Sequence, residues 1–295
     1  MVVGTSELKP TAAWLRHSGL ALAASALLLA LVAQFSALDL ALADLAFDSV
    51  LRRFAWRDSF FADVVMHRWL KLPLVLLGIA LCAVAVSEAL WRWPRLDAVD
   101  RWRLRASAAL AVGIPLTIGL VKRLSDSHCP WSLERYGGTA PYLRLFDAVP
   151  AGFEPGGCFP AGHASSALWL AGLAIWWLPR RPRMAAAVFV GGLSLGFATG
   201  WVQQLRGAHF LSHTLWSMWI ASALIWAVLL CFALVPAIKK TRRESAAHRA
   251  AASRPTGRES ASRSAVFRRG DRGASMRRAA DASPGAAPGR VRWRR

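Results

Sequence analysis

Three short polar clusters hold the residue types that phosphate-ester chemistry needs: KRLSDSHCPW at 122–131, CFPAGHAS at 158–165 and QQLRGAHFLSH at 203–213. Each adjoins the end of an apolar run. Lys122 and Arg206 bring positive charge, and His163, His209 and His213 bring nucleophile and proton-transfer chemistry. Gly162 stands where a helix is expected to begin. Unpaired amides at a helix N-terminus attract anions, and a glycine there lets the anion approach the backbone. A lysine, an arginine, a helix start and two histidines are the parts of a phosphate monoester site. Single histidines elsewhere, His17, His67 and His248, read as structural. No carboxylate cluster suited to magnesium accompanies the three motifs, so no metal and no cofactor are expected.

These clusters must be held by membrane-spanning helices. Of 295 residues, 55% are hydrophobic and 15 are tryptophan, which is too apolar for an ordinary soluble domain. Roughly 20 apolar residues cross a bilayer core of about 30 Å. Six segments meet this loosely: 19–38, 72–90, 106–121, 164–178, 184–202 and 213–238. The expected fold is therefore all-α, a six-transmembrane-helix bundle with its active site at the outer face. The third and fourth spans are the short ones. Asp39, Asp44, Asp48, Arg52, Arg53, Arg57, Asp58 and Asp63 fall mainly at helical spacings, which predicts an interfacial helix between spans 1 and 2. Gly192, Gly196 and Gly200, four apart, predict close helix packing.

Charge sets the expected orientation. With the N-terminus inside, 27 of the 37 Lys and Arg residues fall on the cytoplasmic side. The segments are then a cytoplasmic N-terminal stretch 1–18, a membrane domain 19–238 and a basic cytoplasmic tail 239–295. The tail carries 17 Lys and Arg against four acids and has almost no large apolar residue, so it is expected to be disordered. Most of the formal +20 charge thus lies outside the hydrophobic part. Anionic inner-leaflet lipids are the expected partner of that tail, and nucleic acid is not. A bacterial inner membrane, with both termini cytoplasmic and the three clusters facing the periplasm, is the expected location. Oligomeric state is not legible.

Taken together, the clusters resemble the signature of the type 2 phosphatidic acid phosphatase superfamily, membrane relatives of the vanadium haloperoxidases. That signature is K-x6-RP, then PSGH, then SR-x5-H-x3-D. Lys122 and Pro130 fit the first part, Pro160, Gly162 and His163 the second, and His209 the third. The resemblance covers roughly residues 70–236. Cys129, Ala161, Gln203 and His213 stand where the family has arginine, serine, arginine and aspartate, marking a divergent subgroup. Arg206 is the expected replacement for the guanidinium missing at Gln203, and Arg123 or His128 for the other. His213 is expected to orient His209, with Asp126 and Asp147 as other candidates for that role. The resemblance implies a metal-independent lipid phosphatase or phosphotransferase. His209 would form a phosphohistidine, His163 would protonate the leaving oxygen, and Lys122, Arg206 and amides near Gly162 would hold the phosphoryl oxygens. Two alternatives remain open at this level: an inactive lipid-phosphate binder or transporter, and a membrane haem or metal redox protein ligated by His163, His209 and His213.

The cysteines add one expectation. Cys82 and Cys231 lie within expected spans, whereas Cys129 and Cys158 share the loop placed outside, where an oxidising compartment permits a bridge. A Cys129–Cys158 disulfide would tether the Lys122 segment to the Gly162 and His163 helix start.

Overall fold

A computed structural model describes the backbone of residues 11–252 and the side chains through Leu234. Helix α1 (Ala12–Phe35) opens on Thr11, whose hydroxyl accepts from the Trp14 amide. After it come α2 (Leu38–Ala46), a two-stranded antiparallel hairpin of β1 (Phe47–Asp48) and β2 (Arg53–Phe54), and a π-helical segment, Phe60–Trp69, that runs into α3 (Lys71–Trp91). Helix α4 (Ala98–Arg123) is followed by the long polar loop, α5 (Gly162–Leu168), a 3-10 segment (Trp169–Trp176), α6 (Pro182–Leu205) and α7 (Leu211–Ala252). Contacts divide the chain into Met1–Ile238 and Lys239–Arg295. The tail expected to be disordered lies outside the described residues beyond Ala252, up to which α7 is helical.

Among the described residues five helices are long and apolar enough to cross a membrane: Ala12–Phe35, Phe60–Trp91, Ala98–Arg123, Pro182–Leu205 and Leu211–Leu234. The chain is thus a multi-pass, mainly helical membrane protein. The six expected spans differ from this at the fourth. Residues 164–178 form no long α-helix, because α5 has only seven residues and then tightens into eight residues of 3-10 helix. The segment is central: Ala164, Ala167, Leu168, Ala171 and Ile175 are buried in the main core with Leu110, Ile114 and Ile118 of α4. Its walls are protein. The third span, expected to be short, is a 26-residue helix. Asp97 caps it by accepting from the Val99 and Asp100 amides, and its early arginines find partners. Arg103 donates to the Leu178 carbonyl, while Arg101 and Arg105 flank the fully buried Glu88 carboxylate at 3.0 and 2.8 Å.

The glycine stripe of α6 does what its spacing predicts. A Cβ at Gly192 would strike the Ala171 backbone, one at Gly196 the Leu168 side chain, and one at Gly200 the Thr214 side chain. The stripe lets α6 lie directly against the 162–176 segment and α7. Helix α7 is bound to α1 from the other side, with Trp219 Nε1 donating to the Leu22 carbonyl and Trp226 Nε1 to that of Leu15.

The 39–71 connection departs from the single interfacial helix. Its acids at helical spacing do not act as one row but find separate partners: Asp39 accepts from Ser212, Asp44 pairs with Arg135 at the surface, and Asp63 pairs with Arg206. Between them Asp48 accepts from the Val50 and Leu51 amides and turns the chain into the hairpin. A second core lies beneath, where Phe47 and Phe54 meet Tyr136 at 5.1 Å between ring centroids.

Candidate active site

The three polar clusters are joined by their backbones before any side chain acts. The Gly156, Gly157 and Cys158 amides donate to the carbonyls of Asp126, Ser125 and Ser127, laying the second cluster along the first. Trp131 donates its amide to the Gly207 carbonyl, tying the first cluster to the third. Gly207 is needed there: its φ is +75° and a Cβ would collide with the Phe54 ring. Ala161 donates to the His213 carbonyl, and Ser217 Oγ donates to the carbonyls of both Ala161 and His213, which fixes the start of α5 against α7. Asp39 holds the N-terminus of α7 through the Ser212 amide and hydroxyl. Burial pushes that carboxyl's pKa up, against the opposing pull of the Ser212 bonds. Cys129 and Cys158 are disulfide-bonded, with Cα atoms 5.3 Å apart, while Cys82 and Cys231 are free.

Within this frame Lys122, Gly162, His163 and His209 converge. The Lys122 side chain passes Gly162, where a Cβ would stand 3.7 Å from its Cδ. The rings of His163 and His209 lie 6.2 Å apart between centroids, their planes 53° from parallel. His209 sits in the buried turn between α6 and α7, and burial holds its pKa well below the usual imidazole range, helped by the neighbouring His213, Lys122 and His163. It is therefore neutral at pH 7, as a nucleophile must be. Its Nδ1 lies 3.5 Å from Cys158 Sγ. A disulfide sulfur can only accept, so a hydrogen bond there assigns the ring proton to Nδ1 and leaves Nε2 bare.

His213, expected to orient His209, does not reach it through a hydrogen bond. It packs edge-on to His209 at 5.7 Å and against Phe159 and Phe210, and its buried Nδ1 is without a partner among the described residues. Nor do the other candidates orient it. Asp147 is bound by Gln34 and the Arg144 amide, and Asp126 is exposed. Among the auxiliary residues, Arg123 is exposed and His128 is packed beneath Gly156. Gln203 is buried and accepts from Arg206 at 3.0 Å.

Arg206 is buried and heavily engaged. It donates to the Arg57 carbonyl, Gln203 Oε1 and Asp63 Oδ1, and its Nη1 lies 3.1 Å from His67 Nδ1. Four of its five N–H groups are thereby used and its charge is balanced by Asp63. The three motifs pointed to neither Asp63 nor His67, which had read as structural. His67 lies 4.0 Å from His163 between ring centroids. A usable signal was present: His67 and Lys71, four apart, are among the few basic residues on the side that charge counting leaves poor in them.

The donor set does not fit a metal ion held by His163, His209 and His213 together. Among the described residues the one grouping close enough for shared ligation is Cys129, Cys158 and His209, and its sulfurs are bonded to each other, which leaves a single ligand.

Comparison with known proteins agrees with the geometry. No curated protein and no solved structure matches the chain. Residues 102–236 match the family model described as the PAP2 superfamily, and Lys122, Gly162, His163 and His209 all fall inside that match. The match spans 135 of the 295 residues and supports membership of the type 2 phosphatidic acid phosphatase (PAP2) superfamily.

Proposed function

We propose that this protein is a metal-independent phosphatase or phosphotransferase acting on lipid phosphate or diphosphate head groups through a phosphohistidine. The observation that carries the reading is the meeting of Lys122, the α5 start at Gly162, His163 and a neutral, buried His209 in one place, inside the PAP2 match. Superfamily membership supports phosphatase chemistry in general.

In this reading the bare Nε2 of His209 attacks phosphorus. A nitrogen–phosphorus bond forms as the bond to the lipid oxygen breaks, and His163, protonated once the bound phosphate dianion balances the cations around it, gives its proton to that oxygen. Water or a second lipid hydroxyl then attacks the phosphohistidine, returns a proton to His163 and frees His209. Lys122 and the amides at Gly162 stabilise charge on the phosphoryl oxygens.

A lipid substrate is supported by the surroundings. A cavity of about 540 Å³ runs from Lys71, Gly162, Ser165 and Ser166 down between Gly78, Ala111 and Trp169, with largely apolar walls suited to a hydrocarbon chain. Residues 162–176 complete a sixth crossing: at about 2.0 Å per residue, 3-10 winding lengthens the short segment so that α5 and its extension reach about 26 Å. Charge asymmetry supports cytoplasmic termini and a site facing the periplasm of a bacterial inner membrane.

The test is phosphate release by the purified chain from four lipids: undecaprenyl diphosphate, phosphatidylglycerol phosphate, phosphatidic acid and a lipid A phosphate, in EDTA and with phosphotransfer measured in parallel. Activity is expected on at least one, blocked by vanadate. His209→Ala should abolish the covalent phosphoenzyme, while His163→Ala should slow its formation less when the leaving group is good. Dependence on an added divalent ion would overturn the reading. Vanadate binding without turnover would leave a lipid-phosphate binder.

A further inference from the structure

The motifs of this chain are short of cations. One arginine position of the family pattern holds Cys129, locked in the disulfide, and the other holds Gln203, committed to Arg206. Arg206 itself is balanced by Asp63 at 2.6 Å. Within the family match Lys122 is thus the one cation beside His163 whose charge no carboxylate offsets, and a phosphate monoester dianion asks for more.

The missing groups stand outside the match, on the helix that begins with the π segment. His67 lies against His163, with ring centroids 4.0 Å apart and planes 39° from parallel. Its Nδ1 faces Arg206 Nη1 at 3.1 Å. Arginine can only donate, so Nδ1 is the acceptor and the proton of the neutral ring is on Nε2. Gln203, whose Oε1 accepts from Arg206, is the other polar side chain beside the ring, and among the described residues no geometric hydrogen bond reaches that Nε2. Lys71 follows four residues later, on the same helix face, and lines the apolar cavity together with Gly162, Ser165 and Ser166. His67, Lys71, Lys122 and Arg206 are the charged or polar groups whose fields bear on His163. π-helical turns are frequent at functional sites, and this one ends two residues before Lys71.

We propose that His67 and Lys71 are phosphate-binding residues of this site, His67 donating from Nε2 and Lys71 supplying the charge that the substituted arginines would have carried. Arg206 is then a positioning residue, holding His67 in its donor tautomer while Asp63 holds Arg206. This rests on the phosphoryl-transfer reading above.

Orthovanadate binding to the full-length, detergent-solubilised protein, followed by calorimetry, tests it beside phosphate release from the preferred lipid. Lys71→Met should weaken vanadate binding at least tenfold and Lys71→Arg should restore most of it, a rescue that a packing role would not give. His67→Phe keeps the ring against His163 but removes the donor, and should weaken binding by a similar factor. If His67→Phe fails to fold, the two Lys71 variants decide. Wild-type binding with Lys71→Met and His67→Phe both within twofold of it overturns the assignment and leaves the phosphatase reading standing. A wild-type protein that neither binds vanadate nor releases phosphate overturns both.

Discussion

Replacing both Cys129 and Cys158 with alanine removes the one covalent tie between the Lys122 segment and the start of α5. The bridge spans 29 residues of sequence. Closing a loop of that length in the unfolded chain costs conformational entropy equivalent to about 3–4 kcal/mol, the amount by which the double variant should be less stable. For a folded body of this size each kcal/mol moves the melting midpoint by roughly 2–4 °C, so a fall of about 10 °C is expected in detergent solution. Activity should fall further than stability explains, because Cys158 Sγ is also the atom facing His209 Nδ1. Without it the ring is free to place its proton on Nε2, the nitrogen that must stay bare. Two measurements decide: thiol labelling of denatured, unreduced protein taken from membranes, and melting of wild type against the double variant. Labelling should find Cys82 and Cys231 alone, with the other two appearing after reduction. Four reactive thiols, or a double variant melting with the wild type, would refute the reasoning.

Adjacent glycines in α6 should behave oppositely: Gly192→Ala, whose methyl meets the Ala171 backbone, should cost about 1–3 kcal/mol. Gly191→Ala meets open space and should be neutral or stabilise by up to about 1 kcal/mol, so equal melting midpoints would contradict the packing described. Removing Arg101 and Arg105 together leaves the Glu88 carboxylate buried without a partner and should cost about 3–5 kcal/mol, most of it recovered by adding Glu88→Gln; a triple variant no more stable than the double argues against the pairing. His209 is held neutral by burial, so below about pH 6.5 the unfolded chain takes up a proton that the folded one refuses. Stability should therefore fall on acidification, His209 contributing about 1.4 kcal/mol per pH unit, and His209→Gln should flatten the slope of melting midpoint against pH by that share.

What the sequence made legible was whatever depends on composition or on short spacing. The four-residue glycine period placed a groove on α6 without reference to its partner, and the packing of Ala171, Leu168 and Thr214 into it follows. Cys129 and Cys158 were the two cysteines outside the apolar runs, so their pairing needed only a shared side of the membrane. The fourth span was harder, since hydropathy over 164–178 counts apolar residues but is blind to the tightening into 3-10 helix, which accompanies packing against α4 and α6. Charge spacing misled most in the 39–71 connection. Acids three to five apart look the same whether a helix turns them to water or to Ser212, Arg135 and Arg206, and only the folded chain says which.

The same blindness hid half of the candidate site. Motif reading works where the chain keeps the expected residue at the expected offset, and so it found Lys122, Gly162, His163 and His209 but looked for the missing guanidinium within the third cluster. Arg206 is there, three residues from the vacant position. Its guanidinium, however, turns toward Asp63 and His67, on a helix more than 130 residues earlier in sequence. A charge lost from one element can be replaced from any element that packs against the site, and sequence separation sets no limit on which. In this chain the helix carrying His67 and Lys71 packs there, because α3 lies along α4 and α5. A search for compensating residues in such a divergent relative therefore belongs on the neighbouring helices as much as within the motif.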